Sequence, residues 1–102
     1  MAKATKEVQE ITDENTQDFN AHIEGQDFVF KVTRGEYNSL VNVLGPGNKV
    51  NAFHNFLVST VSDDGKEALV KILANKPGSE ITIGTNIYEA YTPDLNVVVK
   101  KL

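Results

Sequence analysis

The sequence has no cysteine, which excludes a disulfide framework, a thiol nucleophile and Cys-ligated zinc. It also lacks an excess of positive charge. Ten Lys and Arg stand against fourteen Asp and Glu, a formal net charge of −4, the wrong sign for a protein whose affinity rests on neutralising phosphates. Long apolar runs are missing: stretches such as Phe28 to Phe30 and Val97 to Val99 fall far short of the roughly 20 residues that a membrane-spanning helix needs. The N-terminal stretch MAKATKEVQEITDENTQD has lysines but neither the apolar region nor the small-residue cleavage site of a secretory signal. The expectation is a cytoplasmic protein with neither a membrane nor a nucleic acid as partner.

Motifs that carry chemistry are equally scarce. His22 and His54 are isolated from each other and from convergent ligands, so no metal site is expected. Gly45, Gly47, Gly78 and Gly84 follow neither phosphate-loop nor dinucleotide spacing. Asp63-Asp64-Gly65 lacks the spaced oxygen ligands and terminal Glu of a calcium loop and fits helix capping better. No Ser or Thr stands in a nucleophile-elbow setting. Tyr37, Tyr88 and Tyr91 would suit a platform for bases, but without clustered Arg or Lys a core or interface role fits them better. These features predict a protein that is not an enzyme and carries no cofactor.

What remains is a chain of 102 residues, 40% of them apolar; at this size folding removes roughly 65% of the accessible surface, enough for one modest core. Residues 1–18 read as a flexible polar extension in which only Val8 and Ile11 offer apolar anchors. Residues 19–102 read as one α+β domain. Phe19, Ala21 and Ile23 alternate with polar residues, as do Phe28, Phe30 and Val32 after Glu24-Gly25-Gln26-Asp27. A type II′ turn with Gly25 at its first central position would pair Glu24 with Asp27, placing Ile23 opposite Phe28, Ala21 opposite Phe30 and Phe19 opposite Val32.

Helical spacing follows. Thr33 and Glu36 have capping-box spacing ahead of Tyr37, Leu40, Val41 and Leu44, and Gly45-Pro46-Gly47 ends that helix. Asn48 is the expected cap of a central helix whose stripe is Val50, Phe53, Leu57 and Val61, widened by Phe56 and Val58. A third helix carries Leu69, Val70 and Leu73 between Ser62-Asp63-Asp64-Gly65 and Lys76-Pro77-Gly78. Residues 79–91 fit two patterns: Ile81, Ile83, Thr85 and Ile87 alternate as in a strand, while Ile83, Ile87, Ala90 and Tyr91 share a helical face behind a possible Ser79 cap. Leu95, Val97 and Val99 alternate as a terminal strand expected to join the hairpin. The predicted fold is thus α+β, with a small antiparallel sheet of hairpin plus C-terminal strand packed with three to four short helices.

Two segments carry a resemblance: NKVNAFHNFLVSTV, Asn48 to Val61, and KPGSEITIGTNIYEAYTPDLNVVVKKL, Lys76 to Leu102. With FVFKVT and TRGEYNSLVNVL they run in the same order as in the tail assembly chaperones of tailed bacteriophages, which the chain resembles from about Phe19 to Leu102. The resemblance implies a helix over 79–91, although EITIGTNIYEAY is more β-branched than the Ala- and Leu-rich helix of that family. It implies a non-catalytic factor of the bacterial host cytoplasm, absent from the mature virion. Its partner would be the phage tape measure protein, with the tail tube protein and further copies of the chain as other possible partners. His54, Asn55, Tyr88 and Tyr91, amphipathic residues beside apolar stripes, are the candidate partner-binding residues. A second reading is a small nucleic-acid-binding regulator with a helix-turn-helix-like core displaying Asn48, Lys49, Asn51 and Asn55, against which the acidic charge counts.

Overall fold

The computed structural model describes residues 15–102, in the order β1 (Gln17–Ile23), β2 (Gln26–Val32), α1 (Arg34–Val43), α2 (Lys49–Thr60), α3 (Asp63–Asn75) and α4 (Ser79–Tyr91). Most of the expected polar extension, residues 1–14, lies outside the described residues.

β1 and β2 form the expected antiparallel hairpin, with Phe28, Phe30 and Val32 buried and Phe19, Ala21 and Ile23 half-buried beside them. The register is shifted by two residues from the expected one: Ile23 faces Gln26, Ala21 faces Phe28, Phe19 faces Phe30 and Gln17 faces Val32. The turn is the reason. Glu24 and Gly25 both have positive φ, 53° and 79°, the signature of a type I′ loop, whose twist matches that of the strands. A shift of two residues leaves every side chain on its original face, so the apolar alternation is equally satisfied. It also sets His22 opposite Asp27, with Nδ1 2.8 Å from Oδ1, instead of opposing two carboxylates.

The expected third strand is not in the sheet. Among the described residues the sheet has only β1 and β2, and residues 93–102 carry no regular structure. Just past Pro93, Asn96 adopts φ 52° and its N–H donates to Asp94 Oδ1 at 3.0 Å. This turn breaks the alternating run near its start and leaves Leu95, Val97, Val98 and Val99 exposed. The outer edge of β2 is met instead by the α2–α3 link: Ser62 N–H donates to the Val29 carbonyl at 2.9 Å, and Phe30 bridges Val61.

Of the four helix N-caps only Thr33 makes a side-chain cap bond, and Ser62 stands at the N-cap of α3 without one. Thr33 Oγ1 accepts from the Glu36 N–H at 3.1 Å, half of a capping box, while the Glu36 carboxylate accepts from Ser59 Oγ on α2 at 2.9 Å. Asn48 stands at the N-cap of α2 but makes no side-chain cap bond; its Nδ2 donates back to the Val43 carbonyl at 2.6 Å, closing the α1–α2 loop. Gly78, in the left-handed conformation, is the N-cap of α4, and Ser79 is the first residue inside that helix.

Residues 79–91 are helical, and Ile83, Ile87 and Tyr91 form the buried face. Ala52, Phe53, Phe56 and Leu57, followed by Val61 at the C-cap, make α2 the central core helix. Three stripe residues nevertheless point outward. Val41 and Val70 lie at the margin of the narrow face that each helix turns to the core, and Val50, on nearly the same face as buried Leu57, is exposed because it sits in the first turn of α2.

Candidate partner-binding site

An apolar groove opens between the α1–α2 loop, the first half of α2 and the outer face of α4. Gly45-Pro46-Gly47 ends α1, and the Asn48 side chain holds that loop against the end of the helix. Leu44 and Pro46 line one side, the buried Phe53 ring forms the floor, and Ile81, Thr85 and Tyr88 line the other side. The groove encloses about 460 Å³, with Lys49 and Glu89 at its margins. A smaller depression shares Pro46, Lys49 and Ile81 with it and is lined further by Asn48, Val50 and Asn51, so it adds a mixed apolar and amide surface at the start of α2.

The Tyr88 wall is braced from behind. Its ring stacks on Tyr37 with centroids 5.4 Å apart, and Tyr37 in turn packs on Tyr91 at 4.8 Å. Thr92 Oγ1 donates to the Tyr88 carbonyl at 2.9 Å, so its lone pairs accept the Tyr37 hydroxyl proton at 2.8 Å. The Tyr88 phenol is held above the ordinary tyrosine range, first through hydrogen bonding with Tyr37 and then through repulsion between the two phenolates. These contacts fix the ring orientation before any partner arrives.

The four residues named from the sequence are not gathered in one place. Tyr88 lines the apolar groove. Asn55 lies in a different depression between α1 and α2, beside Glu36, Ser39 and Ser59. Tyr91 is buried, and its hydroxyl donates to the Asn15 carbonyl, so it supports the core and not the surface. His54 is half-buried on α2 and lines neither groove. Leu44, Pro46 and Ile81 were missed by sequence reasoning. Ile81 carried a signal, because it falls off the Ile83, Ile87 and Tyr91 face of its helix and is therefore an apolar residue left outside.

The groove offers shape and apolar surface in place of reactive groups. No cluster of three or more His, Cys, Asp or Glu able to hold a metal ion occurs among the described residues, and no helix among them is long and apolar enough to cross a membrane. An amphipathic helix presenting apolar side chains at i, i+3, i+4 and i+7 is the kind of ligand such a surface accepts.

A family model described as phage tail assembly chaperone matches residues 19–101. An uncharacterized 11.3 kDa protein in the lys 3′ region of Haemophilus phage HP1 is 27% identical over 79 residues, covering 78% of this chain and 76% of that protein. No solved structure matches the chain.

Proposed function

We propose, from the premise that the chain belongs to the phage tail assembly chaperone family, that it binds the tape measure protein during tail assembly. It would do so by seating apolar helical segments in the groove between the α1–α2 loop, α2 and α4. The observation that carries this reading is the apolar wall of half-buried Leu44 and exposed Pro46 and Ile81 above the buried Phe53. A long helix-rich chain exposes apolar faces until the tube encloses it, and such faces aggregate unless covered. Many copies of a small chaperone with net charge −4 would cover those faces and keep the complex dispersed by charge repulsion. Release must follow as the tube grows, so each contact is modest, and retention comes from many copies along one chain. A transient cytoplasmic factor that leaves before the virion matures fits this cycle.

The test is co-expression with fragments of the cognate tape measure protein, followed by co-purification of the wild-type chain and of Ile81→Glu. The wild type should hold fragments that Ile81→Glu releases, with identical circular dichroism for the two chains. A folded wild type that ignores every tape measure fragment, or that retains duplex DNA at physiological salt instead, would overturn the reading.

A further inference from the structure

We propose that residues 97–102 of one copy add as a strand to the β1 edge of a second copy, the edge that no described strand covers. The two halves of this contact lie on the same chain. Along the hairpin, Phe28, Phe30 and Val32 are buried on β2, while Phe19, Ala21 and Ile23 on the same face of β1 are only half-buried. The difference arises on the flank of β1: among the described residues no strand lies beyond it, and a groove of about 400 Å³ separates it from α4. Ala21, Ile23, Ile83 and Ile87 line that groove, so side chains entering beside β1 would meet apolar surface.

The second half is the tail. Val97, Val98 and Val99 are 72%, 78% and 88% exposed, an apolar, β-branched run with no cover of its own. Such a segment is a template for strand addition. With Val97 and Val99 turned into the groove, Val98 and Lys100 would lie on the outer face beside Asn20 and His22, as the period of two requires. Charge agrees with this placement. The tail carries Lys100 and Lys101 against Asp94 on an otherwise acidic chain, and exposed carboxylates at Asp18 and Glu24 stand at the two ends of β1, Glu24 sharing Lys76 at 3.8 Å. Lys100, on the same outer face as both carboxylates, therefore comes within one residue pair of Glu24 in a parallel arrangement and of Asp18 in an antiparallel one.

The exchange is intermolecular because, past the Asp94–Asn96 turn, the tail stays exposed and does not pair with the β1 edge of its own chain. Reciprocal exchange closes a dimer, and a head-to-tail arrangement extends a row of copies.

The absence of cysteine allows a direct test on the full chain. An Asn20→Cys chain and a Val98→Cys chain are mixed and treated with a short bismaleimide, and light scattering is recorded for the wild type, for a chain ending at Asn96 and for Val97→Asp/Val99→Asp. A crosslink joining the two different chains, with a wild-type oligomer that both tail variants reduce to monomer at unchanged circular dichroism, is the expected result. A monomeric wild type, a crosslink formed only within one doubly substituted Asn20→Cys/Val98→Cys chain, or an oligomer that survives loss of the tail would overturn it.

Discussion

The ring of Phe53 on α2 lies directly over the backbone of Gly84 on α4. A Cβ at position 84 would come within 2.6 Å of the Phe53 Cγ and 2.9 Å of its Cβ, distances that real carbon contacts do not reach. The two helices approach this closely only because residue 84 has no side chain, and the same contact sets the floor of the apolar groove. Gly84→Ala should therefore destabilise the fold by about 1–3 kcal/mol through overpacking, despite the higher helix propensity of alanine. Phe53→Ala should cost about 3–5 kcal/mol through the cavity it leaves. Because the two side chains share one space, the double variant should lose less than the sum of the singles. Urea denaturation of the four chains measures each value, and strict additivity would show that the contact is not the source of the loss.

Position along α2 separates core from surface. Leu57→Ala, at a fully buried site, should lower stability by about 2–5 kcal/mol. Val50→Ala, at a site 48% exposed, should change it by no more than about 0.5 kcal/mol. Equal shifts in the two denaturation midpoints would contradict the placement of this helix.

The hairpin register can be read chemically. Asn20 faces Val29 in the structure, whereas the register expected from the sequence would set it against Lys31. Asn20→Cys/Val29→Cys should oxidise readily to a disulfide, and Asn20→Cys/Lys31→Cys should not. Gly25→Ala should cost about 1–2 kcal/mol, since φ 79° is the left-handed region where a Cβ is strained. Thermal unfolding of that variant checks the second value.

The raised pKa of Tyr88 has a signed consequence. A phenol whose folded pKa lies above its unfolded value favours the protonated form in the native state. Its contribution to stability is intact below the ordinary tyrosine pKa of about 10 and is lost as pH rises through the folded value. Absorbance titration of the phenolate should show one tyrosine ionising late, and Tyr37→Phe should bring that ionisation down because Tyr37 supplies both leading causes.

The tape measure binding proposed for the groove should survive removal of residues 1–14, because the groove is built from residues 44–89. The cut must stop there: the Asn15 carbonyl accepts the Tyr91 hydroxyl, and β1 begins at Gln17. Co-purification of the shortened chain with the same fragments tests this, and loss of binding with retained fold would place the contact in the N-terminal residues instead.

What the sequence determined by itself was whatever depends on neighbours along the chain. The stop at Gly45-Pro46-Gly47, the Thr33 cap, the helical stripe through Phe53 and Leu57, and the inward face of each strand all follow from spacing and turn chemistry within a few residues. Acidic charge and the absence of cysteine narrowed the chemistry in the same way. What required the tertiary structure was every choice between alternatives of equal local merit. The hairpin could slip by two residues without moving a side chain to the wrong face, and the backbone of Glu24 and Gly25 decided between the registers. Ile81, Ile83, Thr85 and Ile87 satisfy a strand as well as a helix; burial of Ile83, Ile87 and Tyr91 together, with Gly84 under Phe53, selects the helix. The alternation from Leu95 to Val99 fits any sheet edge and specifies none, so it was no guide to the turn at Asn96 that leads the tail away. The groove belongs to the same class, because its walls come from residues some 40 positions apart, and periodicity carries no information across that distance.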